Sequence, residues 1–184
     1  MLPSLPDPCS RCSLDSGPRR GLASYAQLMT GYRLPQLALH TPIGDLTVSE
    51  EDGGIVALDF GWGSGAQTET PLLRRACEQL HAYFDGALTA FDLPLAPAGT
   101  AYRRRVWQAL CDIPFGETRS YGAIAAAAGG SARSVGQANG CNPIPIIIPC
   151  HRVVASTHHG GYSGGDGLPT KRYLLSLEAR DALL

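Results

Sequence analysis

The chain has 184 residues, of which 44% are hydrophobic and 17% are charged, and its formal net charge is −1. This length and composition suit one ordinary domain or two small ones with a packed core, and they exclude global disorder. No apolar run reaches the ~20 residues of a membrane span, and the N-terminus lacks the apolar segment of a secretory signal. The six scattered cysteines therefore predict reduced thiols in a cytoplasmic protein without a disulfide framework.

The small net charge hides an asymmetry between the two halves of the chain. Residues 101–184 hold nine Lys/Arg and five Asp/Glu, a net +4, whereas residues 1–100 hold six and eleven, a net −5. A basic half favours an anionic partner, although solvated surfaces often carry such an imbalance.

Residues 1–33 are predicted to be a disordered leader, because prolines and glycines interrupt every periodic pattern. Cys9 and Cys12 form a lone CxxC within it. A zinc site would need about two further ligands, for which Cys77 and His81 are candidates on a predicted helix. We favour two incidental thiols and predict no metal.

Residues 34–96 predict a small β-rich domain with one helix. Short apolar or alternating runs are separated by turn residues, and apolar residues at helical spacing follow within residues 71–84. Nothing in this part indicates catalysis. Pro94 and Pro97 favour a linker within residues 86–99.

Residues 97–184 predict a second, helical domain. Two short helices joined by Gly129 and Gly130 are typical of a helix-turn-helix, although any antiparallel helix pair gives this pattern. Arg133 stands near the start of the second helix, where such motifs meet nucleic acid. A final helix is predicted from Pro169 onward.

The branched apolar run before Pro149 ends in Cys150, His151 and Arg152. A thiol acts as a nucleophile only when it is helped to lose its proton, and prolines fix the backbone that presents it. A buried structural cysteine is the alternative, but burying a His-Arg pair is unfavourable without a purpose. Neighbouring side chains diverge in an extended segment, so direct contact between Cys150 and His151 is not assured, and a proton relay through water is an alternative. Glu178 is a candidate to orient the His, although its spacing alone favours a surface charge.

Five motifs follow one another between residues 101 and 178. They are Phe115-Gly116-Glu117-Thr118 with Ser120-Tyr121, Ala132-Arg133-Ser134-Val135-Gly136, Asn142-Pro143 through Pro149-Cys150-His151-Arg152-Val153, Gly161-Tyr162-Ser163-Gly164-Gly165, and Leu174-Leu175-Ser176-Leu177-Glu178. In this order they resemble the catalytic domain of the O6-alkylguanine-DNA alkyltransferase family. Residues 39–95 more loosely resemble the family's ribonuclease H-like domain.

The resemblance implies an α+β fold, with a small ribonuclease H-like N-terminal domain and a helical C-terminal domain containing a winged-helix-like helix-turn-helix. It implies irreversible, single-turnover transfer of an alkyl group from O6-alkylguanine, and in some cases O4-alkylthymine, to Cys150. The partner would be double-stranded DNA, and the damaged nucleotide would be flipped out of the stack. The resemblance implies a monomer without a cofactor or a membrane. Some relatives hold a structural zinc in the N-terminal domain, but the cysteines here do not reproduce that pattern, so no metal is expected.

The resemblance also assigns roles to individual residues. Cys150 would accept the alkyl group, His151 would take the thiol proton through a water, and Glu178 would orient His151. Tyr121 would help rotate the nucleotide and donate a proton to the guanine ring, and Asn142 would tie the recognition helix to the active-site loop.

The remaining implied residues contact DNA or form the base pocket. Arg133 would enter the duplex from the minor groove and fill the vacated space. The further DNA-binding residues are Ser134, Tyr121 and Arg152, and the pocket residues are Val153, Tyr162, Ser163 and Asn139.

Two other functions are weighed against this one. A non-catalytic lesion-binding protein of the same fold would lack the acceptor cysteine, whereas this chain has Cys150. An unrelated cysteine hydrolase would turn over many times without needing Arg133, and it leaves the helix-turn-helix unexplained.

Overall fold

The structure is a computed structural model that describes residues 34–155 and 160–181. The predicted leader and the CxxC of Cys9 and Cys12 lie outside the described residues. Within the two described ranges, no helix is long and apolar enough to cross a membrane.

An antiparallel three-stranded meander opens the described chain, with β1 at Gln36–Thr41, β2 at Gly44–Glu51 and β3 at Gly54–Phe60. Asp52 and Gly53 connect β2 to β3 with φ angles of 49° and 77°. Positive φ at both central residues is what a two-residue hairpin turn requires. The predicted β-rich start of the chain is thus confirmed.

Helix α1, at Pro71–Phe84, covers this sheet. The Thr70 side chain caps its start by accepting a hydrogen bond from the amide of Leu73, and Pro71 takes the first helical position. The helix is amphipathic, and its inner face buries Leu73, Leu80 and Tyr83. The helix predicted over residues 71–84 is confirmed.

The segment predicted as a linker is packed onto the sheet. Ile55 of β3 donates a backbone hydrogen bond to the carbonyl of Pro94 at 2.8 Å, and Ala96 donates one to the carbonyl of Ile55 at 2.8 Å. The prolines do not prevent this pairing, because the amide that donates belongs to Ala96. The chain therefore runs along strand β3 of the N-terminal sheet before it enters the second half.

The second half is mainly helical. Its elements are α2 at Ala101–Cys111, β4 at Arg119–Ser120, α3 at Tyr121–Ala128, α4 at Ala132–Gly140, β5 at Val153–Val154 and α5 at Leu168–Asp181. Strands β4 and β5 pair in parallel. The side chains of Thr100, Ser120 and Ser131 cap α2, α3 and α4.

A tight turn joins α3 to α4 and confirms the predicted helix pair. Gly129 and Gly130 have φ angles of 84° and 93°, which side-chain-bearing residues rarely adopt. A Cβ atom at Gly130 would also lie 2.7 Å from both Ser134 Oγ and Tyr102 Oη. The turn therefore needs glycine for conformation and for space.

One apolar core runs through both halves of the molecule. The Leu58 amide of β3 donates to the carbonyl of Pro143 at 2.9 Å. A Cβ atom at Gly164 would lie 2.6 Å from Phe60 Cε2. The N-terminal sheet thus contacts both loops that contain the predicted site residues.

Candidate active site

The loop that leads to Cys150 is fixed by Asn142. Its Nδ2 donates to the carbonyl of Ile148 at 2.8 Å, and its Oδ1 accepts from the amide of Ile144 at 3.0 Å. Between them, Ile146 is fully buried with a φ of 74°, an unusual conformation for a β-branched side chain. The surrounding packing and the amide bonds of Asn142 hold this strained loop in place.

Cys150 opens a single 3-10 turn that spans Cys150–Arg152. Cys150 is only 5% exposed. Asn139 of α4 donates from Nδ2 to the Cys150 carbonyl at 3.2 Å. The second helix of the helix-turn-helix therefore holds the main chain of the predicted acceptor, a contact that the predicted pocket role of Asn139 did not include.

The thiol of Cys150 is held in its protonated form. Burial raises its pKa, and this outweighs the opposing effects of the Asn142 side-chain hydrogen bond and the positive charge of Lys171. A thiol in this state needs a neighbouring base to become a nucleophile.

His151 and Glu178 form a buried pair next to this thiol. His151 Nε2 lies 2.7 Å from Glu178 Oε1, and the two side chains are 0% and 1% exposed. Because Cys150, His151 and Arg152 form a 3-10 turn, their side chains do not point in the alternating directions of an extended segment. Glu178 is therefore not the surface charge that spacing alone favours.

The pair defines the tautomer of His151. Burial would raise the pKa of Glu178, but hydrogen bonds and charge from His151 and Arg152 outweigh it and lower that pKa to about 2. An ionised carboxylate only accepts hydrogen bonds, so Nε2 of His151 must donate to it. The free electron pair then lies on Nδ1, which is buried without a hydrogen-bond partner among the described residues.

His151 is neutral at neutral pH, because burial lowers its pKa and the Glu178 carboxylate only partly offsets this. A neutral imidazole with a free Nδ1 is a proton acceptor. The cation that Glu178 pairs with at rest is consequently Arg152.

Arg152 is enclosed by the protein. Its Nε and Nη2 lie 2.9 and 3.0 Å from the two Glu178 oxygens, and its Nη1 donates to the carbonyl of Ile113 at 2.7 Å. The residue is 6% exposed. Three of its N–H donors are thus used inside the protein, so the structure lends no support to the predicted DNA contact of Arg152, which stays a prediction.

Two further residues of the site were missed. Tyr83, in the half without predicted catalytic residues, donates to Glu178 Oε1 at 2.8 Å. Lys171 is fully buried and donates from Nζ to the carbonyl of Val153 at 2.5 Å. Burial lowers the pKa of Lys171 to about 8. The spacing of Lys171, Leu174 and Glu178 along one helix face was the available signal, whereas Tyr83 fits an ordinary buried position.

Two tyrosines among the predicted site residues interact with Cys150. The Tyr162 hydroxyl is buried beside Cys150, and burial, followed by the charge of Cys150 and a hydrogen bond to it, raises the pKa of Tyr162. Tyr121 begins α3, and burial followed by the charge of Cys150 raises its pKa. A Cβ atom at Gly160 would lie 3.0 Å from the Tyr121 ring. Ser163 is exposed on the glycine loop.

The predicted DNA-binding residues of α4 differ in availability. Arg133, its second residue, is exposed. Ser134 accepts from the Ser131 amide at 2.9 Å in the helix cap, and its hydroxyl lies 2.7 Å from Tyr102 Oη. The Ser134 side chain thus has a structural role, and its DNA contact stays a prediction.

Across residues 34–155 and 160–181, no cluster of three or more His, Cys, Asp or Glu could hold a metal.

Comparison with known proteins identifies the family. The sequence models of the 6-O-methylguanine DNA methyltransferase ribonuclease-like domain and DNA binding domain match residues 36–97 and 101–180. A methylated-DNA--protein-cysteine methyltransferase of Methanosarcina barkeri is 45% identical over 151 residues, which cover 76% of this chain and 94% of the relative. The chain belongs to the 6-O-methylguanine DNA methyltransferase family.

Further members of this methyltransferase family agree in sequence and in fold. A methylated-DNA--protein-cysteine methyltransferase of Mycolicibacterium paratuberculosis is 48% identical over 154 residues, covering 76% of this chain and 89% of the relative. The crystal structure of Mycobacterium tuberculosis OGT in complex with DNA matches with a TM-score of 0.73 and 43% identity, covering 80% of this chain and 94% of that chain. The resemblance and the α+β fold are both confirmed.

Proposed function

We propose that the protein repairs double-stranded DNA by transferring an alkyl group from O6 of guanine to its own Cys150. The observation that supports this most is the buried pair that follows Cys150 in sequence, in which neutral His151 donates from Nε2 to the ionised Glu178 carboxylate and leaves Nδ1 free to accept the proton of the Cys150 thiol. The proposal is supported by the relatives, which are named methylated-DNA--protein-cysteine methyltransferases.

The first step is activation of the thiol. Its proton passes through a water to Nδ1 of His151, and Glu178 stabilises the imidazolium that forms. Lys171 adds a positive charge near the sulfur, which favours the thiolate. Because these groups are buried, they interact more strongly than they would in water.

The second step is alkyl transfer. The Cys150 sulfur attacks the alkyl carbon, and the carbon–O6 bond breaks with its electron pair leaving on guanine. Tyr121 donates a proton to the guanine ring, and the proton taken up by His151 replaces it, so both residues return to their starting states. The product is a thioether, which water does not cleave, so each chain reacts once.

Access to the base requires flipping of the nucleotide, because the alkyl group lies within the stacked duplex. We assign Arg133, exposed at the start of α4, to the vacated space, and α3 and α4 to the minor groove. Exposed Arg104 and Arg105 of α2 add positive charge to the same half. We further propose that the protein is a monomer and that its two domains meet near residues 96–97. We also propose a cytoplasmic location, where the thiol stays reduced.

The direct test is the fate of Cys150. Incubation with duplex DNA containing O6-methylguanine should add one methyl group, roughly 14 Da, to the peptide that contains Cys150. Mass spectrometry should find at most one adduct per chain, with one lesion repaired per protein. Repair with an unmodified Cys150, or many lesions repaired per chain, would overturn the proposal. DNA binding without repair would favour a lesion-binding protein instead.

The role of Arg133 has its own test. Arg133→Ala should slow repair of duplex DNA by about 10- to 100-fold, because an unfilled gap leaves the cost of unstacking uncompensated. Reaction with free O6-benzylguanine needs no flipping and should stay near the wild-type rate. Arg74→Ala, which removes an exposed arginine from α1, is the matched control and should change neither rate. Equal losses with both substrates would refute the flipping role.

A further inference from the structure

The Glu178 carboxylate is crowded with donors. Oε1 lies 2.7 Å from His151 Nε2, 2.8 Å from Tyr83 Oη and 3.0 Å from Arg152 Nη2. Oε2 accepts from Arg152 Nε at 2.9 Å and from the Gly116 amide at 3.2 Å. Tyr83 is the contribution of the N-terminal half to this set, and the proton relay as described has no step for it.

Tyr83 is held rigidly in this position. It lies in the last turn of α1 and is 1% exposed. Its ring contacts those of Phe84, Phe91 and Phe115, with centroid distances of 5.3, 5.4 and 6.1 Å. A ring packed on several sides cannot swing its hydroxyl away from Glu178 without disturbing the core.

The hydroxyl of Tyr83 acts as a donor. Burial and the adjacent Glu178 carboxylate raise the pKa of Tyr83 well above its usual value, so the phenol keeps its proton at the pH of the reaction. The ionised carboxylate, in turn, only accepts. The bond therefore has one direction, from α1 to Oε1.

We propose that Tyr83 is a positioning residue through which the N-terminal half sets the orientation of Glu178 and the proton affinity of His151. This inference rests on the proposed function. A donor to Oε1 draws negative charge away from the oxygen that stabilises the His151 imidazolium. Tyr83 therefore keeps His151 neutral and ready to accept a proton.

Several other charged or titratable groups lie around His151, Glu178 and Tyr83. They limit how far loss of the Tyr83 hydroxyl can change the proton affinity of His151. Arg152 and Lys171 disfavour the imidazolium, and Glu178 favours it. The remaining groups, which interact with Cys150 or Tyr83, are Cys150 itself, Tyr121, Tyr162 and Tyr173. Removal of the Tyr83 hydroxyl removes one of three hydrogen bonds at Oε1 of Glu178. We therefore expect a measurable shift in the pH at which His151 titrates, and we expect the proton relay itself to persist.

The test is Tyr83→Phe in the full chain, which keeps the packed ring and removes only the hydroxyl. The acidic limb of the rate of reaction with free O6-benzylguanine should move to higher pH, by about 0.5 unit, because the imidazolium is better stabilised. The His151 imidazole, followed by NMR, should titrate at a correspondingly higher pH. Arg74→Ala, at an exposed residue of the same helix α1, is the control and should leave both values unchanged.

A second variant predicts the opposite sign. Incorporation of 3-fluorotyrosine at position 83 makes the phenol more acidic and a stronger donor, so both values should move to lower pH. Unchanged His151 titration in both variants, or shifts of the same sign, would overturn the inference. The titration needs no reaction, so it tests Tyr83 even if the wild-type protein fails to repair DNA, and that failure would count against the proposed function alone.

Discussion

Cys150→Ser should abolish alkyl transfer while leaving the fold and DNA binding in place. Serine is nearly isosteric, but its hydroxyl has a far higher pKa than a thiol and is a weaker nucleophile, so the same relay cannot activate it. Methyl transfer from DNA containing O6-methylguanine should fall below detection by mass spectrometry. Binding of the same DNA, measured by fluorescence anisotropy, should stay near the wild-type affinity.

The matched control is Cys111→Ser. Cys111 ends α2 and is an exposed thiol. Its loss should leave the rate and the stoichiometry of methyl transfer unchanged. Residual repair by Cys150→Ser, or loss of the adduct in Cys111→Ser, would show that the acceptor has been assigned to the wrong sulfur.

Glu178→Gln should reduce stability and reactivity together. The change leaves the Arg152 guanidinium buried opposite a neutral amide, and breaking a buried ion pair in this way costs about 3–5 kcal/mol. For a chain of this size, the melting temperature should fall by roughly 10 °C. The loss of the negative charge also removes the stabilisation of the His151 imidazolium, so the reaction should slow by more than 100-fold. Urea unfolding and single-turnover kinetics at low temperature, where the variant is still folded, measure the two effects separately.

The control for this variant is Glu117→Gln. Glu117 pairs with Arg119 at 2.7 Å, but both side chains are about half exposed. Exposed pairs contribute about 0–1 kcal/mol, so stability and rate should hardly change. A similar loss of stability in both variants would show that burial of the Glu178 pair is not the cause.

The same carboxylate predicts how stability depends on pH. The pKa of Glu178 falls from 4.5 to about 2 on folding, so its contribution is present above the unfolded value and is lost as pH falls toward 2. A shift of this size corresponds to about 3 kcal/mol. The lowered pKa of His151 acts in the same direction, because the unfolded chain binds that proton first. Glu178→Gln should therefore flatten the loss of stability between about pH 5 and pH 2.

The elements that followed from sequence alone were those with local causes. Strands β1 to β3, helix α1 and the helix pair were predictable, because period-2 and period-3.6 patterns, cap residues and Gly129-Gly130 act over a few neighbouring positions. Cys150 was identifiable for the same reason, since Pro149, His151 and the motif order are contiguous. Family membership confirms the resemblance that rested on this motif order.

The environment of each ionisable group was decided by the tertiary structure. Arg152 was predicted to meet DNA, yet the packing of α5 against the 3-10 turn encloses it with Glu178. Tyr83 reaches the same carboxylate across 95 residues of sequence. Burial and hydrogen bonding depend on elements brought together from distant parts of the chain, and no local pattern records them. Sequence therefore predicted the nucleophile, whereas only packing showed which charges surround it and which half of the molecule contributes Tyr83 to them.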